Sequence, residues 1–221
     1  MSAEQRALLR LINWLSPSLP TGGYSYSHGL EMAVAEGHVA DREGLQNWLG
    51  DILTLGSGWN DAVMLAETWR TAGRHGDCRP LARLAEAMAG GAERHLETMA
   101  QGQAFMRAVQ AWHRDLPGGL DRNCPLPIAV GAVAGVDKVP LLATATGYLN
   151  AFVSNLVQAA QRLMPLGQQG GVEVLAGLEP VILSTASQAL DSTLNDLGGI
   201  AVQADRMSLT HEQQLVRIFR T

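Results

Sequence analysis

An all-α fold, a single-domain bundle of several helices, is what this 221-residue sequence predicts, and two observations carry the prediction. Apolar residues recur at three- and four-residue steps, the spacing that lines one face of a helix, and no strand–helix alternation or internal repeat interrupts them. Breakers rich in glycine and proline at 17–23, 73–80, 90–91, 117–127 and 164–171 cut the pattern into helix-sized pieces. A chain of this length can bury a substantial core in one domain.

Taken in order, the first eighteen residues read as an amphipathic helix. Arg6, Arg10 and Asn13 interrupt the apolar positions, which a signal peptide would not tolerate. The next stretch, "LPTGGYSYSHGLE" at 19–31, reads as a loop leading into a helix. Pro20, Gly22 and Gly23 suit a turn, Ser25 or Ser27 can cap a helix, and Glu31 favours the first turns electrostatically. Tyr24 and Tyr26 suit either interface anchors, each with apolar area and a polar tip, or simply the packing of the loop. Leu45, Trp48, Leu49, Ile52 and Leu55 then line one helical face, and the same spacing recurs at 62–69, 81–88 and, more loosely, 95–112.

The second half is nearly free of charge: residues 123–190 contain only Asp137, Lys138, Arg162, Glu173 and Glu179. This predicts a buried layer or an interface. The uncharged run 139–161 is long enough to raise a membrane span. Asn150, Ser154, Gln158 and Gln161 answer that question, because they form a neutral polar stripe opposite Leu149, Phe152, Val153 and Leu156. A soluble helix of roughly 25 residues, about 37 Å long, follows, with Pro140 at its start and Pro165 with Gly167 as its stop. The stripe suits either another protein's helix or a central place in this chain's own bundle. Residues 207–221 read as a flexible docking tail, with Val216, Ile218 and Phe219 as apolar anchors beside Arg217 and Arg220.

Composition and motifs exclude several chemistries. The chain is 47% hydrophobic and only 17% charged, with a net charge of -5, so it lacks the basic face of a nucleic-acid binder. Cys78 and Cys124 form no C-x-x-C or ribbon pattern, so a reducing cytoplasm is the expected compartment. "GYSYS" fails as a nucleophile elbow because Ser27 stands where the second glycine is needed. The single lysine, Lys138, sits in "VDKVP" and completes no phosphate loop. His211-Glu212 begins a zinc motif, but position 215 is Leu. His75, Asp77 and Cys78, or His28 and His38, supply no convergent ligand set, and the histidines read as surface or capping groups. Glu93 and Glu97, four residues apart, read as a solvated helix face.

Three segments together resemble the UreF family of urease accessory proteins. "LPTGGYSYSHGLE" is similar to its P-x-G-x-[FY]-[ST]-x-S-x-G-L-E pattern, matching Pro20, Gly22, Tyr24, Ser25, Ser27, Gly29, Leu30 and Glu31. "RLMPLGQQGG" at 162–171 is similar to R-L-[IVM]-P-L-G-Q, matching Arg162, Leu163, Pro165, Leu166, Gly167 and Gln168, and "LAGLEPVI" follows at 175–182. "HEQQLVRIFRT" is similar to a closing H-E-x-Q-x-x-R-L-F-R-S, matching His211, Glu212, Gln214, Arg217, Phe219 and Arg220. The sequence departs from the family at Gly171-Val172, where a second Gly-Gln is common, and at Leu215-Val216, where an aromatic–serine pair is frequent.

The resemblance implies an all-α, non-enzymatic protein without a cofactor. Such a protein dimerises, joins UreD (also called UreH), and recruits the GTPase UreG to deliver nickel to apo-urease. It implies a scaffold bridging the two partners and coupling the GTP cycle to delivery, with the motif residues as partner contacts. The first two motifs would serve the dimer and GTPase side and the tail would dock on UreD. Two other roles stay open: a GTPase-activating arginine such as Arg162, and a nickel carrier using histidines with Cys78 or Cys124.

Overall fold

The computed structural model describes residues 2–113 and 115–221. Ten α-helices occupy them, with no strand among the described residues, so the fold is all-α. In chain order they are α1 (Ala3–Trp14), α2 (Leu30–Ala35), α3 (Arg42–Leu55), α4 (Ser57–Gly73), α5 (Arg79–Ala87), α6 (Ala92–Ala108), α7 (Leu126–Val136), α8 (Leu141–Leu163), α9 (Gly167–Asp191) and α10 (Val202–His211).

Local chemistry sets several starts. Ser2 and Gln5 form a reciprocal capping box on α1, and the Asp41 carboxylate accepts from Gly44 N at 2.8 Å to open α3. The tightest helix pair is α4 with α7. A Cβ on Gly131 would stand 2.6 Å from the Leu65 carbonyl oxygen, so this pair approaches backbone to backbone. Helix α7, reading "LPIAVGAVAGV", is apolar all round and almost wholly buried, as a central helix must be. Around this pair, α8 packs on α9, α3 on α9 and α6 on α7.

The uncharged helix expected after Pro140 is α8, which packs its inner face inside this chain's own bundle through Tyr148, Leu149, Val153, Leu156 and Val157. Its polar stripe stays at the edge: Asn150 and Gln158 are exposed, while Ser154 and Gln161 are half-buried. The breaker expected over 164–171 is shorter than that, because α9 starts at Gly167. A Cβ on Gly171 would press to 3.2 Å on Val157, so glycine there permits the close α8–α9 hairpin rather than a loop. Helix α9 also runs through Pro180. The Ala176 carbonyl deprived of its partner lies on an exposed residue, where water can replace the lost bond. No helix among the described residues is long and apolar enough to cross a membrane.

The C-terminal segment differs from the free tail expected over 207–221. Residues 207–211 finish α10, and the following strand-like segment lies against the loop before α2, with Phe219 and Thr221 buried. Burying Phe219 contributes roughly 2–3 kcal/mol.

Candidate functional site

The loop 20–31 is built from left-handed glycines. Gly22 has φ +77°, followed by a single 3-10 turn, Gly23–Ser25. Gly29, also at φ +77°, precedes α2 and touches α10; a Cβ there would be 2.6 Å from Ser208 N. The Ser27 hydroxyl accepts from Glu31 N, in the first turn of α2, at 3.2 Å. The two tyrosines part company: Tyr26 is core, whereas Tyr24 is 67% exposed.

Against this loop the C-terminal segment forms a closed set of bonds. Ser27 N donates to the Thr221 oxygen at 3.0 Å and Arg220 N to the Ser25 carbonyl at 2.9 Å. The buried Glu31 carboxylate accepts from Ile218 N at 2.7 Å and Phe219 N at 2.9 Å. His211, fully buried, places Nε2 3.2 Å from that carboxylate and Nδ1 2.7 Å from the Glu93 carboxylate. An imidazole donates from both nitrogens only when both carry protons. Glu93 also pairs with Arg217. Glu212 reaches back to accept from Ala92 N at 2.8 Å, giving the first turn of α6 the negative partner that its free N–H groups favour. Gln214 folds onto its own segment, donating to the Val216 carbonyl at 2.9 Å.

The middle motif joins through one residue. Arg162 Nη2 donates to the Tyr24 carbonyl at 2.7 Å, and its guanidinium lies 4.2 Å from the centre of the Phe219 ring. Thus Tyr24, Ser25, Ser27, Gly29, Glu31, Arg162, His211, Glu212, Arg217, Phe219 and Arg220 come together. Pro20 is exposed at the start of the same loop. Pro165, Gly167 and Gln168 lie apart, exposed at the α8–α9 turn, where Gly167 adopts φ +68° and its carbonyl accepts from Gln161 at 3.1 Å.

Beneath the junction sits a second polar layer that the sequence reading missed. Glu93 and Glu97, expected on a solvated face, are buried, as are His28 and His211, expected at surface or capping positions. Arg94 pairs with Glu97 at 2.6 Å. Burial would raise the Glu97 carboxyl, but Arg94 and His28 outweigh it and hold it at about 2. Burial pushes His28 down and Asp61 up, and Tyr148, which donates to Asp61 at 2.6 Å, is raised well above its usual value. Asp61 and Arg94 line two adjoining cavities, of about 170 and 300 Å³. The spacing Glu93-Arg94-x-x-Glu97 was the available signal, but charge on a helix normally means solvent, and apart from Arg94 the basic partners His28, His211 and Arg217 lie 69 or more residues away in sequence.

For metal chemistry the donor set is poor. No three His, Cys, Asp or Glu side chains among the described residues converge to hold an ion. Burial pushes the Cys78 and Cys124 thiols up to about 11 and about 12, so neither offers a thiolate at neutral pH.

The fold and site define an all-α bundle whose glycine-built loop and C-terminal segment lock together over a buried carboxylate–base network. Comparison with known proteins gives that class a family. The UreF family model matches residues 39–179. Urease accessory protein UreF of Mesorhizobium japonicum is 51% identical over 215 residues, covering 97% of this chain and 96% of that protein. Urease accessory protein UreF 1 of Brucella anthropi and urease accessory protein UreF of Brucella ovis are each 50% identical, covering 97% of this chain and 94% of theirs. The chain belongs to the UreF family.

Proposed function

We propose that this protein is a scaffold in urease maturation that catalyses no step of that process itself. It acts in the cytoplasm as a homodimer, bridges UreD (UreH) and the GTPase UreG, and couples the GTP cycle to nickel delivery into apo-urease. The name shared by its relatives supports the process. The observation that carries the scaffold reading is the junction, where three separated segments build one surface and leave apolar groups outside. Tyr24 is 67% exposed, and Leu215, Val216 and Ile218 are 99%, 85% and 65% exposed, flanked by Arg162 and Arg220. Aromatic, aliphatic and arginine side chains of this kind form the energetic centres of protein interfaces.

In this reading the face of residues 215–218 docks on UreD, and Tyr24 with the α8–α9 turn at 165–168 serves the dimer and the GTPase. The nucleotide stays on the GTPase, and the scaffold acts by binding one nucleotide state more tightly, because only differential affinity shifts an equilibrium. Size-exclusion chromatography with light scattering tests this for the chain alone, with UreD, and with UreD plus UreG, in GDP or a non-hydrolysable GTP analogue. A nucleotide-dependent ternary complex is expected. Absence of any complex overturns the reading.

Arg162 discriminates the scaffold from an arginine-finger activator. Its guanidinium is already engaged by Tyr24 and Phe219, which favours a positioning role. Arg162→Ala is therefore expected to weaken UreG binding and GTP turnover together. Turnover that falls by orders of magnitude with binding intact would establish the finger instead.

A further inference from the structure

Inside the bundle, side chains from three elements form a line that the scaffold role does not use. Ser57, the first residue of α4, places Oγ 2.7 Å from His28 Nε2. On the other side of the ring, His28 Nδ1 lies 3.5 Å from Glu97 Oε2 and has no closer polar partner. Glu97 is itself fixed by Arg94 at 2.6 Å, with Thr221 Oγ1 at 3.3 Å and Gln101 Nε2 at 3.4 Å. The imidazole meets Phe152 edge-on, ring centres 5.1 Å apart. His28 holds φ +58°, a conformation that non-glycine residues rarely adopt and that concentrates at functional sites.

We propose that Ser57 is an activated nucleophile that takes up a small neutral acyl group from an activated ester, with His28 as general base and Glu97 as the residue that positions the ring. The order is that of a serine–histidine–acid triad, an arrangement that recurs on unrelated folds, with the serine–histidine leg at hydrogen-bond distance and the acid 3.5 Å from the ring. In the tautomer that carries its proton on Nδ1, facing Glu97, the neutral ring offers the Nε2 lone pair to the Ser57 hydroxyl proton. Burial lowers His28, which keeps the ring neutral at physiological pH, and Glu97 is held ionised. The 3.5 Å separation is long for a direct bond, as such contacts often are before substrate binds.

Ser57 opens on the cavity of about 300 Å³, together with Asn60, Asp61, Arg94 and Ser208. The wall presents both Asp61 and Arg94, so an uncharged acyl group fits it better than an anion. In the reaction, Ser57 Oγ bonds to the acyl carbon as its proton passes to His28 Nε2. The bond to the leaving alcohol then breaks, and that oxygen takes the proton from His28. Water attacks the acyl-serine by the same route, releasing the acid and restoring Ser57. Free N–H groups in the first turn of α4 are donors of the kind that stabilise an oxyanion.

The test uses the full chain and a fluorophosphonate probe. The Ser57 oxygen displaces fluoride from phosphorus, and the hydroxyl proton leaves through His28 to solvent. One adduct per chain is expected by intact mass, mapped to Ser57 by peptide analysis and absent in Ser57→Ala. His28→Gln is expected to slow labelling on the order of 100-fold, the usual worth of a general base. A wild-type chain that stays unlabelled overturns the proposal without any variant having to fold. Labelling that persists in His28→Gln at the wild-type rate overturns it as well. The inference stands apart from the scaffold role: Ser57→Ala leaves the outer junction intact, and its complex with UreD and UreG should be unchanged.

Discussion

Glu31 shows how much one side chain can settle. Its two oxygens take two backbone N–H groups of the C-terminal segment and one nitrogen of His211, the contacts to Phe219 and His211 buried and that to Ile218 partly so. Removing the carboxylate leaves these groups without that partner, and each buried one left unpaired costs about 1–3 kcal/mol. Glu31→Ala is therefore expected to lower stability by on the order of 3 kcal/mol in urea unfolding, and to expose the bonds after Arg217 and Arg220 to trypsin. Glu31→Gln retains a carbonyl oxygen for one of the N–H groups and should fall between the variant and the wild type. Equal proteolysis of all three chains would show that the segment is held mainly by Phe219 and not by this carboxylate.

At the scale of elements, the α4–α7 pair and the α10 segment make contrasting predictions. Gly131 lies against the Leu65 carbonyl, so Gly131→Val forces two central helices apart; overpacking of this kind costs typically 1–3 kcal/mol and more where backbone must move. A loss of several °C in Tm is expected by calorimetry, and an unchanged Tm would mean that α7 can slide. Deleting 212–221 removes no helix, so helical circular dichroism should remain, yet Glu31, Glu93 and Glu97 lose partners and Tm should drop. Co-purification with UreD should be lost as well. The contrast explains what the sequence could reveal. Helix α3 was legible because Leu45, Trp48, Leu49 and Ile52 repeat on one face. Helix α7 was not, because a helix buried on all sides has no polar face to give a period. The loop at 19–31 was legible through its glycines and serines. What remained hidden was the burial of Glu93, Glu97, His28 and His211, since each needs a partner distant in sequence, and spacing along one helix carries no record of that partner.

For the molecule as a whole, the consequence is a stability set by buried charge as well as by the apolar core. Glu97 ionises at about 2 in the folded chain against an ordinary value near 4.5, so the unfolded chain binds more protons in between. Its stabilisation is complete above pH 4.5 and is lost as pH falls toward 2, on the order of 3 kcal/mol in all. His28 acts in the same direction in a higher window, because its folded value lies below 6.5: acidification below pH 6.5 protonates the unfolded chain first and draws the equilibrium toward it. Asp61 opposes both, since its raised folded value lets the native state bind the proton first above 3.8. The net expectation is a stability that declines from neutrality toward acid, steepest where Glu97 titrates. Urea unfolding of wild type and Glu97→Gln across pH 2–7 measures it. The variant should be the less stable chain at pH 7, because it leaves Arg94 without its counter-charge, and the gap should close as pH approaches 2. A gap that stays constant across that range would mean that the carboxylate matters for its shape and hydrogen bonds alone, and that the buried network is not held by its charge.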